Sequence, residues 1–307
     1  MTARATALGF LAILLWSGLA VLTAASGTMP AFQLTATTFA IGGFCGLGLL
    51  AWRGELGALR QPARVWALGV GGLFSYHALY FAALRSAPPA EAGLVNYLWP
   101  LLIVLFSALL PGERLRAAHV IGALTGFLGL VVLFAGGREG LSAPRLVPGY
   151  GLALAAAFVW AGYSVLSRRF ARAPSGVVAG FCVATAGLAG LAHLGLETTA
   201  WPVTASQWGA VAALGLGPVG LAFFFWDRGV KQGDIRLLGV LSYAAPVLST
   251  LWLVLAGHAE PGWALALACG LILAGGAIAA TARPDLRRAD MKKPGAGPGS
   301  ISGSLEP

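Results

Sequence analysis

The stretch Asn96-Tyr97-Leu98-Trp99-Pro100-Leu101-Leu102 returns in altered form as Ser242-Tyr243-Ala244-Ala245-Pro246-Val247-Leu248, its Tyr and its Pro each displaced by 146 positions. At the same offset Tyr80 falls on Trp226 and Arg85 on Lys231. Nearer the start, Trp16-Ser17-Gly18 falls on Trp160-Ala161-Gly162 at an offset of 144. Ordered matches across several segments mark a duplicated half. Both copies place a proline inside a long apolar run. Within a helix, proline removes one hydrogen bond and clashes with the carbonyl four residues back, costing about 3 kcal/mol or more. Pro100 is therefore expected to kink its helix and free the Asn96 carbonyl, and Pro246 that of Ser242. Pro218 suggests a further bend. Freed carbonyls are tolerated at membrane depth only where protein, water or ligand satisfies them, so paired interruptions in two halves point to a binding site.

The composition sets the solvent. Of 307 residues, 58% are hydrophobic and 10% charged, with a mean hydropathy of +0.80. Soluble domains carry about 25% charged residues. This chain cannot cover a water-facing surface, which excludes a soluble fold, a disordered chain and a nucleic-acid-binding domain. Its net charge of +9 comes from Lys and Arg set in short gaps between apolar runs, where they orient a protein in the lipid bilayer. Cys45, Cys182 and Cys269 each stand alone, so neither a disulfide framework nor a thiolate metal site is indicated.

A helix needs about 20 apolar residues to span the hydrocarbon. Ten segments qualify: 5–25, 30–52, 65–84, 87–110, 117–135, 147–167, 176–196, 205–225, 236–255 and 263–282. The first exceeds the usual signal-peptide core and is expected to be retained. On alternate sides of these spans, 17 of the 20 Lys and Arg residues fall together, leaving only Arg85, Arg138 and Arg145 opposite. Both termini are thus expected in the cytoplasm. Five helices per half is an odd number, so the second half enters from the opposite face. The expected fold is all-α and integral to the membrane. It has ten transmembrane helices as two inverted five-helix repeats, 1–140 and 146–283, around a central cavity. A tail over 284–307, basic and then rich in Gly, Pro and Ser, is expected to be disordered.

No Asp, Glu, Lys or Arg is expected near the centre of a span, which argues against an acidic proton relay, a buried carboxylate or a cationic clamp for phosphate. His77 is the one ionisable side chain well inside a span, fitted to a ligand or to a helix–helix hydrogen bond, with a proton carrier as the third reading. His119, His193 and His258 lie near span ends and read as structural. Trp52, Trp66, Trp201, Trp208 and Trp263 suit an interfacial belt. The mid-span aromatics are different: Trp16, Tyr76, Tyr80, Tyr97, Trp99, Trp160, Tyr163 and Tyr243. Tyr76, His77 and Tyr80 share one side of a helix, and buried tyrosine hydroxyls need a partner or water. With Asn96 and Ser242 they form the candidate substrate site. Gly42-x-x-x-Gly46 and Gly122-x-x-x-Gly126 permit close helix packing or a homodimer. No nucleophile–base pair, metal cluster or phosphate loop appears, so neither an enzyme nor a cofactor is expected.

Leu109-Leu110-Pro111-Gly112-Glu113-Arg114-Leu115, followed by Gly122 and Gly129, resembles the G-E-R motif and trailing glycines of EamA-type domains in the drug/metabolite transporter superfamily. The second half keeps a looser version in Glu260, Gly270 and Gly275. More narrowly, Tyr76-His77-Ala78-Leu79-Tyr80 and Asn96-Tyr97-Leu98-Trp99-Pro100 look like the branch that exports aromatic amino acids. The resemblance implies a basket-like fold whose cavity is lined by helices one, three, four, six, eight and nine, with five and ten peripheral. It implies alternating-access export of aromatic, and other neutral, amino acids from the cytoplasm across the inner membrane. The competing expectations are a carrier for another solute, such as a drug or nucleotide-sugar, and a non-transporting membrane scaffold.

Overall fold

The computed structural model describes residues 2–87, 89–111, 115–135, 148–255 and 262–281. Gly112, Glu113, Arg114, Arg138, Arg145, His258, Glu260 and the tail from 284 onward lie outside them. The described secondary structure is entirely helical. Among the described residues, nine helical stretches are long and apolar enough to cross a membrane, and Ala92–Ser107 is a shorter apolar helix. The protein is integral to a membrane.

In chain order, α1 (Ala3–Ser17) and α2 (Leu19–Ala25) are one stretch interrupted at Gly18, followed by α3 (Ala31–Trp52) and α4 (Ala63–Ser86). Then come α5 (Pro89–Asn96), α6 (Trp99–Ser107), α7 (Ala117–Ala135), α8 (Pro148–Ser167) and α9 (Val177–Leu196). The last set is α10 (Ala205–Leu216), α11 (Ala222–Gln232), α12 (Ile235–Leu241), α13 (Ala244–Leu255) and α14 (Trp263–Thr281). Local signals set several starts. Pro30 and Pro62 precede α3 and α4, Thr204 and Gln207 form a capping box on α10, and the Asp234 carboxylate accepts the Arg236 and Leu237 N–H groups at the start of α12.

The two repeated prolines act differently from the expected kinks. The chain leaves helix at Tyr97–Leu98 and again at Ser242–Tyr243. Pro100 and Pro246 then sit in the first turns of α6 and α13, where a missing N–H costs little because first-turn donors have no helical partner. The Ser242 carbonyl is not left free, since it accepts the Ala245 N–H at 3.2 Å. The true distortion lies at Pro218, inside a π-helical turn over Gly217–Leu221 that joins α10 to α11. The Trp16 indole N–H donates to the Pro218 carbonyl at 3.0 Å, which satisfies a group the turn exposes. A second difference concerns the end of this span. Helix continues to Gln232 rather than stopping near 225, because Asp227 and Lys231, four apart, neutralise each other at 2.9 Å.

Helices pack α3 along α9, α7 along α14, α4 along α8 and α1 along α11, with α6 against both α8 and α12. Small residues permit the closest approaches. A Cβ on Gly122 would lie 2.5 Å from the Gly275 carbonyl oxygen, and one on Gly275 would lie 2.5 Å from that of Gly122. A Cβ on Gly42 would meet the Gly215 carbonyl and the Gly220 Cα, both at 2.7 Å. Gly46 abuts Phe224 and Ala179, and Gly126 abuts the Tyr243 ring. Gly42, Gly46, Gly122 and Gly126 are therefore packed against this chain itself. At one end of the α3–α9 pair the Glu197 carboxylate accepts the Phe32 and Gln33 N–H groups at 3.0 and 3.1 Å. His193 holds that carboxylate at 3.1 Å and meets the Thr199 hydroxyl at 2.9 Å, and Ala200 N–H donates to Gln33 Oε1 at 2.9 Å.

Candidate functional site

Trp160 on α8 is the centre of an aromatic assembly. Its ring centroid lies 5.0 Å from Tyr76, 5.4 Å from Tyr163, 5.6 Å from Trp16 and 6.2 Å from Trp99. Four-residue spacing on α4 stacks Tyr76 on Tyr80, 6.0 Å apart and 16° from parallel. That helix can approach α8 because Gly72 presents bare backbone to the Tyr163 ring, where a Cβ would intrude to 2.7 Å.

Polar tips are set among these rings. One end of the Asn96 amide bonds the Tyr76 hydroxyl at 3.1 Å, while the other end is buried without a protein partner. Either orientation of the amide leaves one polar atom to be met by something else. The His77 Nδ1 lies 2.7 Å from the Leu73 carbonyl. A carbonyl only accepts, so Nδ1 carries the hydrogen, and in the neutral ring Nε2 keeps a lone pair. Trp16, Tyr76, His77, Tyr80 and Tyr97 are half-buried, whereas Asn96, Trp99, Trp160 and Tyr163 are buried. Half-buried polar-tipped rings thus adjoin buried ones in a single assembly.

Ser242 and Tyr243 stand apart from this group. Both are fully buried, and the Ser242 hydroxyl is spent on the Leu238 carbonyl at 2.7 Å. Tyr243 lies 6.2 Å from Phe127 in a second cluster with Leu130, Val247, Leu265 and Ile272. Tyr97 packs against both clusters and joins them.

Three rings of the assembly were missed by sequence reasoning. Phe39 on α3 lies 5.0 Å from His77 and stacks on Phe223 of α11 at 5.3 Å. Trp226 is fully buried, 5.1 Å from Trp16, and its indole N–H donates to the Ser164 hydroxyl at 3.0 Å. The repeat offset did point at Trp226, but its helix was expected to have ended. Phe39 and Phe223 carry no polar atom to set them apart from other apolar residues. Asp227 was missed as well. Its side chain is 2% exposed, so the expectation of no buried carboxylate is corrected. Among the described residues, no group of three or more His, Cys, Asp and Glu is placed to hold a metal ion. Chemically, the arrangement offers flat faces to a planar ring, one amide end and one imidazole acceptor.

The model of the EamA-like transporter family matches residues 3–135 and again 147–281. The chain is 62% identical over 277 residues to the aromatic amino acid exporter YddG of Ancylobacter novellus, covering 90% of this chain and 96% of that one. It is 30% identical to the YddG of Salmonella typhimurium over 80% of this chain and 86% of its relative. A solved crystal structure 59% identical in sequence superposes with a TM-score of 0.88, over 95% of this chain and 100% of its own. Two successive matches that together span nearly all the described residues place the chain: it belongs to the EamA-like transporter family.

Proposed function

We propose that this protein exports aromatic amino acids, and other neutral ones, from the cytoplasm across the inner membrane by alternating access. The observation that carries the reading is the assembly around Trp160, where stacked ring faces adjoin an unpartnered amide end at Asn96 and the free lone pair of His77. The names of the 62% and 30% identical relatives support it. The contact site comprises Trp16, Tyr76, His77, Tyr80, Asn96 and Tyr97 with Trp99, Trp160 and Tyr163. Ser242 and Tyr243 support it from the neighbouring cluster through Tyr97. Stacked aromatic pairs contribute about 0.5–1.5 kcal/mol each beyond buried area, enough to hold a ring and still release it. The ammonium meets acceptors at Asn96 or His77 Nε2, and tyrosine hydroxyls donate to the carboxylate.

The proposed frame has ten spans, 1–140 and 146–283 being inverted repeats with both termini cytoplasmic and 284–307 a tail. Numbering spans one to ten, the pairs α3–α9, α7–α14 and α6–α12 join span n to span n+5. The pairs α4–α8 and α1–α11 exchange under the same swap. A twofold axis in the membrane plane maps that pattern onto itself, and the reciprocal Gly122–Gly275 approach agrees with it. The test is flux of labelled phenylalanine or tryptophan in liposomes containing the purified protein. Saturable flux above protein-free liposomes is expected; its absence for every aromatic amino acid would refute the reading.

A further inference from the structure

Phe223, Asp227 and Lys231 succeed one another at four-residue intervals on α11 and so form one stripe along the helix. The stripe starts in the aromatic assembly, where Phe223 stacks on Phe39 and lies 5.9 Å from Trp160. It ends about 12 Å further along the axis at 1.5 Å per residue. There Lys231 Nζ meets Asp227 Oδ2 at 2.9 Å, with the side chains 4% and 2% exposed, and donates to the Ala173 carbonyl at 3.1 Å. The end is closed from outside by Arg168, which donates to the Val230 and Gly233 carbonyls at 3.2 and 2.8 Å. It is closed also by α1, whose Thr6 hydroxyl accepts the Asp234 N–H at 2.8 Å.

A buried ion pair is a poor way to stabilise a helix. Desolvating two charges is costly, and apolar side chains of similar size often serve as well or better. Glu197 and Arg236 are buried too, but here an acid and a base lie side by side and match the two groups of an α-amino acid in sign. We propose that Asp227 and Lys231 read those two groups at the cytoplasmic mouth: the ammonium takes Asp227, the carboxylate takes Lys231, and one buried pair is exchanged for two. The pair reseals once the amino acid has moved up the stripe to the rings. This rests on the exporter reading and adds to it a station that selects zwitterions from singly charged aromatics.

The test is a competition assay on tryptophan flux in liposomes, with tryptamine carrying only the ammonium and indole-3-propionate only the carboxylate. For the unaltered protein each analogue should compete about tenfold or more weakly than tryptophan, because each leaves one buried charge unpaired. Equal competition by either analogue overturns the proposal. The double variant Asp227→Leu/Lys231→Met removes both charges together and should fold with a parental Tm. It should raise the KM for tryptophan about tenfold or more while largely levelling the three competitors. A folded double variant with parental KM and parental discrimination overturns the proposal. Should that variant fail to fold, the exchanged pair Asp227→Lys/Lys231→Asp keeps the contact, and a parental KM in it is equally fatal. Absence of any aromatic amino acid flux in the unaltered protein would instead sink the exporter reading itself.

Discussion

The bond between Asn96 and Tyr76 allows stability and transport to be driven in opposite directions. Tyr76→Phe removes the partner at 3.1 Å and leaves both ends of a 2% exposed amide without one. An orphaned buried polar group costs about 1–3 kcal/mol, so the variant should melt at a clearly lower temperature. Asn96→Leu instead removes the amide altogether, leaving only the half-buried Tyr76 hydroxyl to find water. Its thermal stability should equal or exceed the parent's. Transport should show the reverse order. If the free amide end meets the substrate ammonium, losing it forfeits a hydrogen bond to a charge, worth about 1.5–3 kcal/mol. That raises KM by about 10- to 150-fold. Thermal unfolding in detergent and labelled phenylalanine flux in liposomes give the two readings. An Asn96→Leu protein that melts below Tyr76→Phe and transports with the parental KM would refute the assignment.

His77→Ala and Tyr97→Ala should each lower aromatic amino acid flux sharply with near-normal folded yield, read by size-exclusion chromatography and liposome assay. Trp16→Phe keeps a stacking face but loses the bond to the Pro218 carbonyl. It should transport well while losing about 1–3 kcal/mol of stability, seen as a lower Tm. Gly275→Val would drive a side chain against the Gly122 carbonyl at 2.5 Å, where backbone cannot yield, and should abolish folded yield on fluorescence-detected chromatography. A reporter fused after Asp290 should read cytoplasmic.

Much of the architecture was legible because a bilayer imposes one simple rule, about 20 apolar residues per span. The ends of α3, α7, α9 and α14 fall within a residue or two of those expected from apolarity alone. What failed were positions where side chains answer one another. Charge marked residues 226–232 as outside the membrane, but Asp227 and Lys231 cancel within the helix, and cancellation has no signature in a hydropathy count. The repeated prolines do mark interruptions, but their helical register was unknown, and the register decides whether proline kinks a continuing helix or starts a new one. The site was half legible. Tyrosines, His77 and Asn96 announce themselves by being polar in an apolar run, whereas Phe39 and Phe223 announce nothing. Tyr243 shares its motif with Tyr97 yet faces Gly126 in another cluster, a choice of direction that spacing alone cannot express.

The tie at Glu197 has a mechanical meaning. It pins the N-terminal amides of α3 to the segment leaving α9, and along their length Gly43 and Gly46 of α3 mesh with Val183 and Ala179 of α9. A pair clamped at one end and toothed along its shaft can neither slide nor splay. It behaves as a single beam, so displacement at one end must reappear at the other as tilt. The compliance the molecule needs then falls on its segmented members, where α5 gives way to α6 and α12 to α13, much as a folding frame bends at its joints and keeps its struts straight.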